Sequence, residues 1–511
     1  MSNVFRRLLL LFVALPLATQ AQSPAAIRDL DAYIQKTLAD WDGAGLAIAV
    51  VKDDSVVFTK GYGVREVGKP DAVTPRTLFA IGSNTKLFTA VVAGIAVDEG
   101  KLHWGDKVTM YLPWFQLYDP FASREITVRD MLSHNSGLGR RGDGLWYGTV
   151  YDRREILRRV RYLQPIASFR AEYGYQNIMV LGAGEATAAA MGTSWDDLVR
   201  TRIFAPLGMT SSNATVRDLK PGQDVATPHT WRAGHAVPIP YRNIDNIGPA
   251  GAINSNVLDM AQWLRMLLAN GKYQGRQIVS AASLHEIEAP HTITGTASDS
   301  LTHFSAYGLG IGMRDYRGVK VLTHTGGIDG MLSAFTFIPE RGLGVVVLTN
   351  TDGHNGAYTA VASRAIDTFL GAPLRDASAP ALAQAKRAEA KQLADARALD
   401  SARVKGTSPL PLDHYAGVYS SDMYGDVTVT VSNGALVVQS SWDPALSGAL
   451  SHWHYNVFHI DLGPSGNGIG VKTFVRFEAD EHAKVPALTL EMQEGDVVFH
   501  RKPPAKKSDG A

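Results

Sequence analysis

Ser83-Asn84-Thr85-Lys86 sets a hydroxyl and an amine three positions apart, just ahead of Leu87, Phe88, Val91, Val92 and Ile95, which recur at helical spacing. That run predicts a helix ending near Gly100, with Ser83 at its N-terminus. A serine there can be a plain N-cap, and a chain of this length holds roughly one or two S-x-x-K matches by chance. The third position after the serine sets this match apart. A capping box asks for Glu or Gln there, whereas Lys86 opposes the positive end of the helix dipole at a cost of roughly 0.3–1 kcal/mol. The same field favours the neutral amine, and helical spacing puts it on the Ser83 face, within reach of the hydroxyl proton. The pair can act as nucleophile and base.

Two further groups carry polar side chains at positions where a substrate could meet them. Tyr175-Gln176-Asn177 follows a Gly-containing turn and precedes the apolar run Ile178 to Leu181. Taken singly, Tyr175 reads as a core or surface aromatic and Asn177 as a helix cap. His324-Thr325-Gly326-Gly327 lies at the end of a strand expected over Gly318 to Leu322 and is read as running into loop glycines. Glycines there permit close approach of a substrate, with the Gly327 amide free to donate to an oxyanion; a plain turn explains the four residues nearly as well.

In this order, the three motifs resemble those of the penicillin-recognising serine hydrolases, in the branch with class C β-lactamases, D,D-carboxypeptidases, D-amino-acid amidases and related esterases (peptidase family S12-like). The resemblance covers about residues 25–372, with motif spacings of 92 and 149 residues. It implies Ser83 as acyl-accepting nucleophile, Lys86 as its proton acceptor, Tyr175 as phenolate base or neutral proton shuttle, and Asn177 as an amide that orients substrate. It also implies that His324, Thr325, Gly326 and Gly327 line the site from a strand, the Gly327 and Ser83 amides holding the oxyanion. Ser133-His134-Asn135-Ser136-Gly137-Leu138 and Gly248-Pro249-Ala250-Gly251 look like recurring loops of that family. No metal or other cofactor is required. The implied partner is a small-molecule or short-peptide substrate, such as a cell-wall peptide or a β-lactam. One departure bears on the substrate: His324 stands where a typical β-lactamase of this branch has lysine. A neutral imidazole offers mainly a hydrogen bond and gains charge only below about pH 6.5. The exchange favours peptidase, amidase or esterase activity over efficient antibiotic hydrolysis.

The elements that must position these residues can be sketched from pattern. Gly45 to Lys52, a turn at Asp53-Asp54, and Val56 to Gly61 predict an opening hairpin. A helix-rich stretch follows from Ser83 to Gly271, with stops at Gly100, Gly192 and Gly271. Strands return at Gly318 to Leu322, Met331 to Ile338 and Val345 to Leu348. Short turns between strands call for a largely antiparallel sheet, giving an α+β, β-lactamase/transpeptidase-like layout flanked by helices with a helical subdomain. The expected organisation is a signal peptide over 1–21, a hydrolase domain over 22–372, a helical linker over 373–408, a lipocalin-like β-barrel domain over 409–504 and a disordered tail over 505–511. Within the barrel segment, Tyr415 to Tyr419, Val427 to Val431, the turn Asn433-Gly434 and Ala435 to Gln439 carry the strand pattern. His452, His454 and His459 alternate along a strand with no carboxylate set, and are read as structural rather than as metal ligands.

Composition narrows the remaining classes. Fifty basic against 49 acidic residues give no global field for nucleic acid or anionic lipid. The cluster Arg153, Arg154, Arg158, Arg159 and Arg161 reads as a solvated helix face. Arg6 and Arg7, the apolar run Leu8 to Leu17 and small residues before Ala21 form an export leader too short to span a bilayer, so the mature protein is expected in the periplasm or outside the cell with no stable membrane anchor. The absence of cysteine excludes a thiol nucleophile, disulfides and a lipid-modified cysteine. Two alternatives stay open: a penicillin-recognising sensor or wall-binding module without efficient turnover, and a hydrolase in which His324 assists Ser83.

Overall fold

The computed structural model describes residues 23–503 except 233, 300, 354, 461–472 and 493–494. The leader and the tail expected from sequence lie outside the described residues. An eight-stranded antiparallel sheet organises the first two thirds of the chain: β1 (Gly45–Lys52), β2 (Ser55–Gly63), β3 (Thr292–Asp299), β4 (Thr302–Tyr307), β5 (Gly312–Tyr316), β6 (Val319–Ile328), β7 (Met331–Ile338) and β8 (Leu343–Thr349), in the spatial order β2-β1-β8-β7-β6-β5-β4-β3. The N-terminal hairpin thus meets the last strand, Ile48 opposite Val347, and the sheet is closed by a long-range pairing.

Side chains alternate across the sheet. Leu46, Ile48, Val50, Val345 and Val347 pack under α1 (Pro24–Asp40) and a late helix through Leu30, Ile34, Val361, Ile366 and Phe369. Ala47, Ala49, Val51, Val346 and Leu348 face the opposite way, into the helical subdomain. That subdomain is built on α2 (Thr85–Asp98), α3 (Asn177–Met191) and α4 (Val257–Leu268), and the late helix, α5, spans Ala357–Leu370. Phe88 stacks on Trp263, 4.0 Å between ring centroids, tying α2 to α4.

Two sequence expectations are corrected. β6 does not end at Leu322: it runs on to Ile328, so Gly326 pairs with Ser333 and Gly327 with Leu332 inside the sheet rather than in a loop. The arginine cluster on the helix Arg153–Arg159 is not simply solvated. Arg153 is held by Asp196 at 2.7 Å and Glu185 at 3.3 Å, and Arg159 donates to the Met423 carbonyl at 2.9 Å.

A largely exposed helix, α6 (Ser378–Ser401), leads to a closed antiparallel barrel of eight strands running from Gly417 to Arg501 in sequential order. Its interior is filled by Tyr415, Tyr419, Tyr424, Trp442, Phe458, Phe477 and Phe499. The barrel docks on the helical subdomain: the Val150 amide donates to the Trp442 carbonyl at 2.8 Å, and the Tyr151 hydroxyl to the Tyr424 carbonyl at 2.6 Å. His452 bonds the Tyr455 carbonyl at 2.9 Å, and among the described residues no group of His, Asp and Glu is gathered as a metal site.

Candidate active site

The turn that carries Ser83 is pinned to the sheet before it becomes a helix. Gly82 has φ of +51°, and a Cβ there would stand 2.6 Å from the Gly327 amide nitrogen. A Cβ on Gly326 would stand 1.9 Å from the Ile81 carbonyl oxygen. Only glycine on both sides lets the turn Gly82–Asn84 and β6 touch backbone to backbone. Asn84 donates to Ser333 at 2.7 Å, and Ser333 donates to the Ile81 carbonyl at 2.8 Å, which fixes the register of the turn on the strand.

Lys86 projects from the first turn of α2 into a fully buried position. Its Nζ donates to Ser83 Oγ at 2.9 Å and to the Ala250 carbonyl at 2.8 Å. The Gly248–Gly251 segment is held against α2 by Thr89, which donates to the Pro249 carbonyl at 2.6 Å. Burial pushes the amine of Lys86 down to about 7, with nearby Asp143 opposing the shift and Arg140 adding to it. The charged and neutral forms are then both populated near neutrality. In the neutral form the Nζ lone pair can accept the Ser83 proton.

Tyr175 reaches the same oxygen from the other side, its hydroxyl donating to Ser83 Oγ at 2.7 Å. Lys86 Nζ lies 4.8 Å from the centre of its ring. Burial holds the phenol far above its ordinary value, more than the Ser83 hydrogen bond lowers it, so it stays protonated. Asn177 does not meet Ser83, Lys86 or Tyr175 directly: its amide donates to Asp143 at 3.0 Å, and Asp143 also accepts from the Trp146 indole at 2.7 Å. The helix cap expected at Asn177 is supplied by Gln176, whose side chain accepts from the Ile178 amide at 3.0 Å.

His324 stands on β6 with both ring nitrogens engaged. Nδ1 faces the Thr325 carbonyl at 2.6 Å, which can only accept, so the proton belongs on Nδ1. Nε2 then accepts from the Tyr307 hydroxyl at 2.8 Å. Burial, reinforced by Lys86, pushes His324 down to about 3, so its imidazole is neutral. Thr325 and Gly327 are exposed toward solvent while Gly326 is buried under the Ser83 turn.

Three further residues complete the arrangement, of which only His134 lies in a loop that the sequence singled out. Tyr307, from β4, anchors His324. His134, fully buried at φ of +59°, accepts from the Gln176 amide at 3.1 Å and packs 4.5 Å from the Tyr175 ring and 4.7 Å from the Tyr307 ring. Its loop stood out in the sequence, but no residue type announced an aromatic support. Arg140 is exposed, with its guanidinium 5.5 Å from the centre of the Tyr175 ring.

A family model described as Beta-lactamase matches residues 30–368, and one described as Domain of unknown function (DUF3471) matches residues 401–501. A protein called "Unguisins hydrolase ungD'" from Aspergillus campestris is 34% identical over 67% of this chain and 65% of its own length. The chain therefore spans just under two thirds of that relative. "Penicillin-binding protein 4" of Amycolatopsis lactamdurans is 26% identical over 66% of this chain and 88% of its own. Among solved structures, the octameric penicillin-binding protein homologue from Pyrococcus abyssi superposes with a TM-score of 0.61 at 22% identity, covering 92% of this chain and 99% of that one.

Proposed function

The chain belongs to the Beta-lactamase family, a family of serine hydrolases, and on that premise we propose that it forms an acyl-enzyme at Ser83 and hydrolyses amide, peptide or ester bonds. The observation that carries this reading is the convergence on Ser83 Oγ of Lys86 Nζ at 2.9 Å and the Tyr175 hydroxyl at 2.7 Å, one group able to take a proton near neutrality and the other holding its own.

Ser83 Oγ attacks the substrate carbonyl as its proton passes to neutral Lys86. The Ser83 and Gly327 amides, brought together by the glycine contact between turn and strand, receive the developing oxyanion. Tyr175, kept neutral by burial, gives its hydroxyl proton to the leaving group and is reprotonated from Lys86, so it works as a shuttle and not as a standing phenolate. Water then attacks the ester, the same groups run in reverse, and the acid product leaves. His324 does not serve as the base: both nitrogens are occupied and the ring stays neutral. The neutral ring also removes the fixed charge expected for efficient β-lactam binding, which favours peptides, amides and esters.

We read residues 22–372 as the hydrolase unit, 373–408 as a linker and 409–504 as the appended β unit. Export through a cleaved leader over residues 1–21 belongs to the same reading. It is supported by the basic, apolar and small-residue sequence there and by the lack, among the described residues, of any helix long and apolar enough to cross a membrane.

Intact-mass spectra with a labelled penicillin and with an aryl ester test the proposal. Ester turnover that is lost in Ser83→Ala, with any adduct mapping to Ser83, is the expected result, whereas an adduct without turnover is the mark of a penicillin-recognising sensor. Neither adduct nor turnover would overturn it in favour of a non-catalytic sensor or wall-binding module.

A further inference from the structure

Past Thr323, the strand that lines the site is paired on one side only. The pairing of β5 with β6 ends at Gly312 opposite Thr323, whereas β7 follows β6 as far as Ile328. The Gly327 amide therefore sits near the end of a strand held by one neighbour and by the Ser83 turn beneath it. The next residues fasten that end. Gly330 is seated firmly: a Cβ there would stand 2.4 Å from the Pro228 side chain, its amide donates to Asp352 at 2.5 Å, and its carbonyl accepts from the His229 amide at 3.2 Å. Asp329, between Ile328 and Gly330, reaches away to Tyr147, whose hydroxyl lies 2.8 and 2.7 Å from the two carboxylate oxygens. Arg242 donates to the same carboxylate at 2.8 Å and to the Tyr147 hydroxyl at 3.2 Å. Burial, reinforced by the Asp329 charge, holds the Tyr147 phenol above its ordinary value, so it keeps its proton and donates it.

Tyr147 belongs to the segment that holds the other polar group of the site. Its neighbour Trp146 donates to Asp143 at 2.7 Å, and Asp143 accepts the Asn177 amide at 3.0 Å. From Gly139 to Val150 that segment has no regular structure beyond the short turn Asp143–Leu145, so side-chain contacts must set its distance from β6. One carboxylate thus ties the strand end with the Gly327 amide to the loop that orients Asn177. With Gly330 locked in place, loss of the tie shifts the loop. Resting on the acyl-transfer reading above, we propose that Asp329 and Tyr147 are positioning residues whose hydrogen bond fixes the spacing between the Gly327 amide and Asn177, and so favours the tetrahedral intermediate over the bound substrate.

An aryl ester and an arylboronic acid, which forms a tetrahedral adduct on a serine hydroxyl, test this in the full chain. Tyr147→Phe removes the hydroxyl but keeps the ring and the pair of Arg242 with Asp329; Asp329→Ala removes the acceptor; Asp329→Asn restores an acceptor without the charge. Tyr147→Phe and Asp329→Ala should each lower kcat/KM about tenfold, through kcat with KM within about twofold of wild type, and weaken the boronate by the same factor. The double variant should be no worse than the worse single, because both break one bond. Asp329→Asn should stay within about threefold of wild type, which a role resting on the ion pair with Arg242 would not allow. The boronate inhibition constant and KM do not depend on how much of a variant folds. Unchanged boronate affinity in Tyr147→Phe, single losses that multiply in the double variant, or an Asp329→Asn as impaired as Asp329→Ala overturns the proposal. If wild type neither turns over the ester nor binds the boronate at Ser83, it is the acyl-transfer reading that falls.

Discussion

The cleft side of α2 and the interior of the C-terminal barrel are both closed to water, yet they are filled in opposite ways. Around Ser83 the chain buries Lys86, Asn84, Gln176 and His134 and has to supply each with partners. Inside the barrel it buries Trp442, Phe458 and Phe499, whose rings gain by leaving water, and Tyr415 and Tyr419, whose hydroxyls donate to the Asn456 side chain and the Tyr415 carbonyl and carry no charge. Desolvation lowers stability in the first region and creates a base; in the second it contributes stability and creates no reactive group. The contrast predicts that substitutions in the cleft change rate without harming stability, while substitutions in the barrel do the reverse.

Ser83→Ala gives the largest separation. Turnover should fall by at least about a thousandfold because no other nucleophile is in place, while Tm stays within a few degrees of wild type. A large loss of Tm would mean that the hydroxyl, with two donors on it, is structural as well.

Lys86→Met sharpens the comparison, because the two effects should have opposite signs. Activity should drop by about 10²- to 10⁴-fold with the base gone. Stability should hold or rise, since an apolar chain of similar length replaces a buried amine. The pH dependence follows the same residue. Lys86 must be neutral to act, so kcat/KM should rise with pH through about 7. For stability, the unfolded amine stays protonated up to its ordinary value of 10.5 while the folded one releases its proton near 7. The unfolded state binds more protons in between, so stability should climb from about pH 7 toward 10 by up to about 1.4 kcal/mol per pH unit, and be flat in this respect below 7. Subtracting the Lys86→Met profile isolates this group; no difference between the two profiles would show that Lys86 is not depressed.

Much of this geometry could be read in advance, and the reason differs by residue. Ser83 and Lys86 are neighbours by helical spacing alone, so a local rule found them. Tyr175 needed the resemblance, since nothing local relates it to a residue 92 positions away. Tyr307 was invisible, and His134, though its loop was singled out, had no legible role, because both roles arise from pairings that no periodicity encodes: β4 reaches His324 only through sheet order, and His134 is turned inward by a left-handed backbone. Strands β3 to β5 were missed along with Tyr307, because polar residues such as Thr292, Thr294 and His303 break the apolar pattern at the sheet edge. Arg153 was misread for a related reason. Its partners Glu185 and Asp196 lie 32 and 43 residues on, beyond any helical spacing.

Trp442→Ala tests the barrel half of the contrast. The indole is 1% exposed and stacks on Phe499 at 5.5 Å and against Tyr424 at 5.4 Å. Its loss should cost about 3–5 kcal/mol, read as a fall in the denaturant midpoint, with the apparent pKa of kcat/KM unmoved. A shift of that pKa would show that the barrel tunes Lys86 after all.

The smallest effect is expected where the two regions meet. The Tyr151 hydroxyl donates to the Tyr424 carbonyl of the barrel, and the Arg159 guanidinium lies 4.2 Å from the centre of the Tyr151 ring. Tyr151→Phe removes the hydrogen bond and keeps the ring and its cation contact, so stability should fall by only about 1 kcal/mol. The neighbouring residues give the substitution its interest. Tyr151 sits eight positions after Asp143, in the segment that also carries Trp146, and the Asn246 amide spans the carbonyls of Trp146 and Tyr151 at 2.9 and 3.1 Å. If the barrel only stabilises, turnover in Tyr151→Phe should match wild type at temperatures well below Tm. If kcat falls more than about threefold there, while Tm moves by only a few degrees, the docking of the barrel is what holds Asp143 and Asn177 in place, and the division between the two regions runs through this segment instead of around it.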